Sequence, residues 1–242
     1  MYNFFVDNNQ INGNKVEILG DDYKHISRVL RMSVKEKISV SIKQTEERFL
    51  TEITSIDNEK VICTIIEKFQ SSESSVNITI YQGIPKSDKM EQIIQKSVEL
   101  GAKAIVPVEM KNCIAKIKDP DKKITRWQAI SEAAAKQSKR NIIPKIEYPL
   151  NILEMYNEFN KYNLVLVAYE NEKDIGIKEI FKKYKNAKDI AIIIGPEGGL
   201  TENEVKQVEN KGGISVSLGK RILRTETASL ALLSMIMYEF EM

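Results

Sequence analysis

IAIIIGPEGGLTENEV, residues 190–205, decides the fold. From Ile190 to Gly195 no residue is polar, as expected of a parallel strand covered on both faces. Gly195-Pro196-Glu197-Gly198-Gly199-Leu200-Thr201 then predicts a tight turn whose backbone amides can approach a ligand closely. Thr201 and Glu204 have the spacing of a capping box that opens a helix. Strand, glycine turn and capped helix together point to an α/β layer, where ligands collect at the carboxyl ends of the strands. Read as a plain strand-to-helix connection, the turn needs no ligand. Neither a Walker A loop nor a GxGxxG fingerprint is present, which argues against a nucleoside triphosphatase or dinucleotide site.

The same alternation extends outward from this stretch. NITIYQGI (77–84), AIVPVEM (104–110), LVLVAYE (164–170) and ISVSLG (214–219) read as strands, and helical patterns cover 89–100, 126–137, 202–211 and 227–240, with a lysine-rich helix after 170. This predicts a mostly parallel sheet. In the loop after ISVSLG, Arg224 and Glu226 lie between a buried strand and an apolar helix, where charge is costly unless paired or poised at an opening. A structural salt bridge and a functional site both satisfy that condition. Towards the amino terminus KVEIL (15–19), EKISVSIK (36–43), ERFLTEITSI (47–56) and KVICTIIEKF (60–69) predict a small β-barrel. Within it DDYKHISRVLRM (21–32) places Tyr23, Ile26, Val29 and Leu30 on one helical face and Lys24, Arg28 and Arg31 towards the other. The serine-rich SSESS (71–75) divides the chain into expected domains 1–72 and 73–242.

With 242 residues, 42% hydrophobic, 29% charged and a net charge of +2, the composition excludes disordered and fibrous classes and supplies a sizeable core. Cys63 and Cys113 stand alone, which excludes a classical structural zinc site and suits a reducing compartment. MYNFFVDNNQ (1–10) lacks the charged and apolar regions of a signal peptide, and no long apolar run occurs, so a cytoplasmic address without membrane association is expected. Charge is uneven: residues 111–145 hold ten Lys and Arg against three Asp and Glu. Such a window attracts polyanions, although a solvated lysine-rich surface explains it equally well.

The pair IIIGPEGGLTENEV (192–205) and LGKRILRTETASL (218–230), in that order, resembles the SPOUT superfamily of knotted methyltransferases, in particular its small-subunit ribosomal RNA uridine N3-methyltransferases of the RsmE type. HISRVLRM (25–32), KSDKMEQIIQKSVELGAKAIVPV (86–108) and EAAAKQSKRNIIPKI (132–146) are similar to further signatures of that family. The resemblance implies a trefoil-knotted carboxy-terminal domain, a PUA-like amino-terminal barrel, a homodimer, and S-adenosylmethionine held among three loops. Matched residue by residue, it implies Ala168 or a neighbour, Gly195, Glu197, Gly198, Leu218, Gly219, Ile222 and Leu223 as cofactor contacts. Methyl transfer to uracil N3 requires loss of one proton and no metal; Glu226 is the carboxylate candidate, with Arg224 or Arg140 to stabilise charge on the uracil carbonyls. His25, the only histidine, falls in the barrel, remote in sequence from the cofactor loops. Expected contacts to ribosomal RNA, the implied partner, are Lys24, Arg28, Arg31, Lys89, Arg126 and Lys139. Another SPOUT methyltransferase, on transfer RNA or a ribose 2′-oxygen, and a noncatalytic ribosome assembly factor are the alternatives.

Overall fold

The structure is a computed structural model describing residues 1–173 and 175–241. It divides into two compact units, Met1–Glu73 with Ala135–Ile143, and Ser74–Ala134 with Pro144–Met242. In the first unit, strands β1 (Asn3–Val6), β2 (Ile11–Asn12), β3 (Lys15–Leu19), β4 (Lys37–Ile42), β5 (Arg48–Ile56) and β6 (Lys60–Lys68) form one mixed sheet in the order β1-β4-β5-β6-β3-β2. Register shifts at Leu50/Thr51 and Ile53/Ser55 bend β5 against β6, and the sheet curls into a PUA-like half-barrel around Phe4, Val16, Ile38, Val40, Ile53 and Val61.

The helix expected over 21–32 is shorter than its pattern. Helix α1 (Gly20–Lys24) passes into a wide π-helical turn, His25–Val29, closed by the Leu30 amide donating to the His25 carbonyl at 2.9 Å. Arg31 ends it in the left-handed region at φ 51°. The faces are as the spacing predicts except at Val29: Ile26 is fully buried in the half-barrel core with Tyr23 and Leu30 packed against it, and Lys24, Arg28 and Arg31 are exposed, but the wide turn leaves Val29 exposed as well.

In the second unit every ladder is parallel. Strands β7 (Asn77–Gly83), β8 (Ala104–Glu109), β9 (Lys145–Ile146), β10 (Leu150–Asn151), β11 (Leu164–Ala168), β12 (Asp189–Ile194) and β13 (Ile214–Val216) run in the order β10-β8-β7-β12-β11-β13, with β9 also on β8. Helices α2 (Lys89–Glu99), α3 (Pro120–Ser138), α4 (Ile152–Asn157), α5 (Ile177–Lys183), α6 (Glu202–Asn210) and α7 (Thr225–Glu241) complete the layers. The apolar reading of β12 has its cause here. Ala191 and Ile193 join the core formed with Tyr81, Val106, Val167 and Val208, and the alternate residues Ile190, Ile192 and Ile194 are equally buried on the face where α7 meets the strand. From the edge strand β13 the chain returns across the sheet, so that α7 packs on the central strands β7 and β12 and on α2. This is the knotted SPOUT arrangement, contrary to the general rule against threaded chains.

Helix α3 begins earlier than its periodicity predicts. Pro120 occupies its first turn and the Asp119 carboxylate accepts the Lys122 amide at 3.0 Å, a start signal written in the dipeptide Asp119-Pro120. Its last residues and the segment that follows belong to the first unit, although the sequence reading puts them in the second domain. What holds them is Glu73. Its carboxylate accepts from Arg140 Nε at 3.1 Å and from the Asn141 amide at 2.7 Å, with the Arg140 and Glu73 side chains only 8% and 5% exposed. Breaking a buried ion pair by removing one member costs about 3–5 kcal/mol. Glu73→Ala is therefore expected to lower the unfolding free energy by about that amount in urea titrations, and a loss below about 1 kcal/mol would show that the guanidinium is not desolvated.

Candidate functional site

Three loops leave the carboxyl ends of β11, β12 and β13, and they line two adjoining crevices. The larger, about 410 Å³, is within the usual range of small-molecule sites and is bordered by Ala168, Glu170, Gly195–Gly199, Ile222–Thr225 and Lys89. The smaller lies between Ala168–Glu170 and Ser217–Leu223. All eight residues matched to cofactor contacts, Ala168, Gly195, Glu197, Gly198, Leu218, Gly219, Ile222 and Leu223, are therefore brought to one place.

The turn after β12 is built locally and then clamped from outside. The Gly199 amide donates to the Pro196 carbonyl at 2.9 Å, and Gly199 takes φ 67°, a conformation that favours glycine. A Cβ on Gly198 would sit 2.9 Å from the Asn112 Cβ, closer than side chains pack. Asn112 uses this proximity: its amide nitrogen donates to the carbonyls of Gly198 at 2.9 Å and Gly199 at 3.2 Å. The predicted capping box is present, with the Thr201 hydroxyl and Glu204 exchanging bonds across the start of α6. Glu204 is buried because it does more than cap: its other oxygen accepts the Lys111 amide at 2.8 Å. Neither Asn112 nor this second role of Glu204 has a local sequence signal, since both depend on a segment some ninety positions away.

A buried relay fixes the third loop. Ser229 donates to Gln82 Oε1 at 2.6 Å, Gln82 Nε2 donates to the Thr225 hydroxyl at 2.8 Å, and Thr225 donates to the Gly195 carbonyl at 2.6 Å. Gln82 and Ser229 are wholly buried, and Thr225 nearly so. The chain thus links β7, the first turn of α7 and the glycine turn through satisfied polar groups.

At the mouth, charges meet. Lys89 Nζ lies 3.2 Å from Glu197 Oε1 and 3.3 Å from Glu226 Oε2, and the three side chains are 27%, 26% and 21% exposed. Glu197 also accepts the Lys86 amide at 3.0 Å. Partial burial works to lower the Lys89 pKa, but the two carboxylates outweigh it and hold the ammonium above the ordinary lysine value. For Glu197, burial works upward, and the backbone amides with Lys89 outweigh it, so the carboxyl is held below its usual range. Arg224 is exposed on the rim, its carbonyl accepting the Ala228 amide at 2.8 Å in the first turn of α7.

The donor set fits the cofactor that the motifs imply. Close backbone approach at Gly198 and Gly199, apolar cover from Ile222 and Leu223, and carboxylates at Glu170 and Glu197 suit an adenosine carrying a positively charged sulfur. Ile222, 85% exposed, is a large apolar side chain with no protein cover of its own.

The remaining expected site residues have the following surroundings. Arg140 is a buried member of the first unit, where its guanidinium pairs with Glu73. Lys89 is not an open basic residue but lies in the crevice between two carboxylates. Arg126 on α3 pairs with Glu91 at 2.8 Å. In the first unit Lys24 pairs with Asp21 at 2.8 Å, Arg28 and Arg31 are exposed, and Lys139 is exposed with its carbonyl accepting from Arg48 and Ser72. His25 is also in the first unit, with its ring edge-on to Phe4.

The crevice depends on the missing side chain at Gly198. Gly198→Ala is expected to displace Asn112 and to weaken S-adenosylmethionine binding at least about tenfold, the equivalent of about 1.4 kcal/mol, by isothermal titration. Unchanged affinity would show that Asn112 and the turn separate freely.

Comparison with known proteins agrees with this geometry. Residues 72–237 match the family model described as RNA methyltransferase domain, and residues 18–66 match the RNA methyltransferase PUA domain. The chain is 35% identical to ribosomal RNA small subunit methyltransferase E of Bacillus subtilis, covering 93% of this chain and 90% of the relative. Its counterpart in Mesomycoplasma hyopneumoniae is also 35% identical, over 97% and 98%. Among solved structures, ribosomal RNA small subunit methyltransferase E from Neisseria gonorrhoeae, bound to S-adenosyl methionine, superposes with a TM-score of 0.88 at 32% identity over 98% of this chain and 97% of that one. With the fold, the loop cluster and the full-length similarity in agreement, the chain belongs to the ribosomal RNA small subunit methyltransferase E family of SPOUT RNA methyltransferases.

Proposed function

We propose that this protein transfers a methyl group from S-adenosylmethionine to N3 of a uridine in small-subunit (16S) ribosomal RNA. The observation that carries the reading is the convergence of all three carboxyl-end loops on two adjoining crevices, with Arg224 and Lys89 lining the larger and Glu226 paired to that Lys89, in a chain of this family. When bound, S-adenosylmethionine supplies a methyl carbon already made electrophilic by its sulfonium. The work left to the protein is alignment and one proton.

In this reading the 195–199 turn and the 218–223 loop hold the cofactor, with Ile222 and Leu223 covering the adenine. Glu226 accepts the N3 proton, the N3 lone pair then forms the new bond to the methyl carbon, and the carbon–sulfur bond breaks to leave S-adenosylhomocysteine. Arg224, always protonated, stabilises the negative charge that collects on the uracil carbonyls. Residues 1–72 serve as the RNA-binding module and 73–242 as the catalytic domain. Exposed Lys24, Arg28, Arg31 and Lys139 contact phosphates in this scheme, and Arg126 joins them by exchanging Glu91 for RNA. A uridine must be unpaired or extruded to reach the crevice.

We further propose that the protein acts as a homodimer in the cytoplasm on the assembled 30S subunit. An apolar groove between α2 and α7, lined by Leu230 and Ala231, and the exposed Tyr238 of α7 support a second copy as a partner.

The test is incubation with labelled cofactor and small subunits lacking the modification, followed by mass-spectrometric mapping of the methylated nucleoside. A single N3-methyluridine in the small-subunit RNA is expected. Glu226→Gln is expected to lower kcat by about 10²–10⁴-fold, the usual worth of a general base. Arg224→Ala is expected to lower it by about 10²-fold. Rates close to wild type in both variants would remove these residues from the chemistry, and methylation of a ribose or of transfer RNA would overturn the substrate.

A further inference from the structure

Lys89 is in an unfavourable place for a cation. It is the first residue of α2, where the helix macrodipole is positive, and its side chain is about three-quarters covered. An exposed lysine serving only as a phosphate contact would need neither burial nor partners. Here the ammonium is held 3.2 Å from Glu197 and 3.3 Å from Glu226, and the connection leading into α2 is shaped to deliver it. Ser87 adopts the left-handed region at φ 58°, a conformation that costs a residue with a side chain, and the preceding Lys86 amide is fixed by the same Glu197. Strained backbone and ion pair thus meet at one carboxylate.

The two carboxylates are not equivalent. Glu197 is saturated by the Lys86 amide and Lys89. Glu226 has Lys89 beside it, yet its buried Oε2 makes no hydrogen bond among the described residues. Glu226 therefore keeps hydrogen-bonding capacity that Glu197 already uses on the Lys86 amide.

We propose that Lys89 is a positioning residue whose ammonium, shared between Glu197 and Glu226, ties the cofactor turn to the proton-accepting carboxylate and leaves the trio with one net negative charge. This inference rests on the functional reading above and deepens it. A lone carboxylate pair would carry two negative charges, attract a cationic cofactor strongly, and leave Glu226 free to swing. With Lys89 in place, the crevice keeps a moderate preference for a positive sulfur, and Glu226 stays tethered to Lys89. The exposed Arg224 and Glu170 are the other charged groups of the larger crevice, and Lys220 and Arg221 line the smaller one.

The test compares wild type, K89M and K89R by calorimetric affinity for S-adenosylmethionine and S-adenosylhomocysteine, and by steady-state methylation of small subunits. Because only the first ligand carries the sulfonium charge, K89M is expected to raise the ratio of the two affinities by about three- to tenfold in favour of the charged form. Misplacing Glu226 is expected to lower kcat by about a hundredfold, with the KM for RNA changed by less than about threefold. K89R, which restores the charge, is expected to stay within about threefold of wild type in every measurement. A raised KM with kcat and the affinity ratio unchanged would overturn the proposal by making Lys89 a phosphate contact. No change in any value would overturn it by making the ion pair a bystander. Should K89M fail to fold, E197Q reads the same electrostatics and is expected to move the affinity ratio the other way, and an unchanged ratio there contradicts the proposal. A wild-type chain that binds neither ligand contradicts the functional reading itself, and this inference falls with it.

Discussion

The buried relay from Ser229 through Gln82 and Thr225 to the Gly195 carbonyl is the constraint on which the site depends. Each member is desolvated, so each must find its partner or destabilise the fold by about 1–3 kcal/mol. The partners come from three distant parts of the chain: β7, the end of β12 and the first turn of α7. Only when α7 has returned from the edge of the sheet to its centre can all of them be satisfied. The ligand crevice is therefore tied to the return of α7, because the same return brings Leu223, Arg224 and Thr225 to the glycine turn.

From that relay the electrostatics of the mouth follow. With Thr225 fixed, the backbone at Glu226 is placed, and α2 presents Lys89 to its carboxylate across a gap that Glu197 closes from the other side. The second clamp, Asn112 on the Gly198 and Gly199 carbonyls, holds the far side of the turn, and Glu204 ties the same segment to α6. The turn is thus gripped on both flanks while its residues line the crevice. Such support from outside is how a loop achieves the rigidity that precise alignment of a methyl donor demands.

Much of this was legible in the residues. The apolar run at 190–194, the capping box at Thr201 and Glu204, and the period change after SSESS announced a parallel sheet with a ligand turn at its carboxyl edge, and the π-helical turn at His25–Val29 kept the predicted basic face. The knot was not legible from spacing, because threading leaves no local signal, and it entered through resemblance alone. Arg140 looked like a candidate stabiliser because sequence shows its charge and hides its partner: Glu73 is 67 positions away. Lys89, an expected RNA contact, has its two acidic partners hidden for a similar reason. A lysine on a helical face is usually solvated, and only the fold reveals two carboxylates converging on it from other elements. The short strands β9 and β10 and the early start of α3 were also missed, the former because two-residue pairings carry no periodicity.

The most direct measurement of the central claim is cofactor affinity in Thr225→Val, with Thr225→Ser as control, by isothermal titration. Valine keeps the shape of threonine but strands the Gln82 amide and the Gly195 carbonyl, whereas serine keeps the hydroxyl that joins them. If the relay sets the crevice, the valine variant binds S-adenosylmethionine at least about tenfold more weakly, about 1.4 kcal/mol, while the serine variant remains close to wild type. Equal affinities in all three proteins would show that the glycine turn holds its shape without α7, and the constraint would have to lie elsewhere.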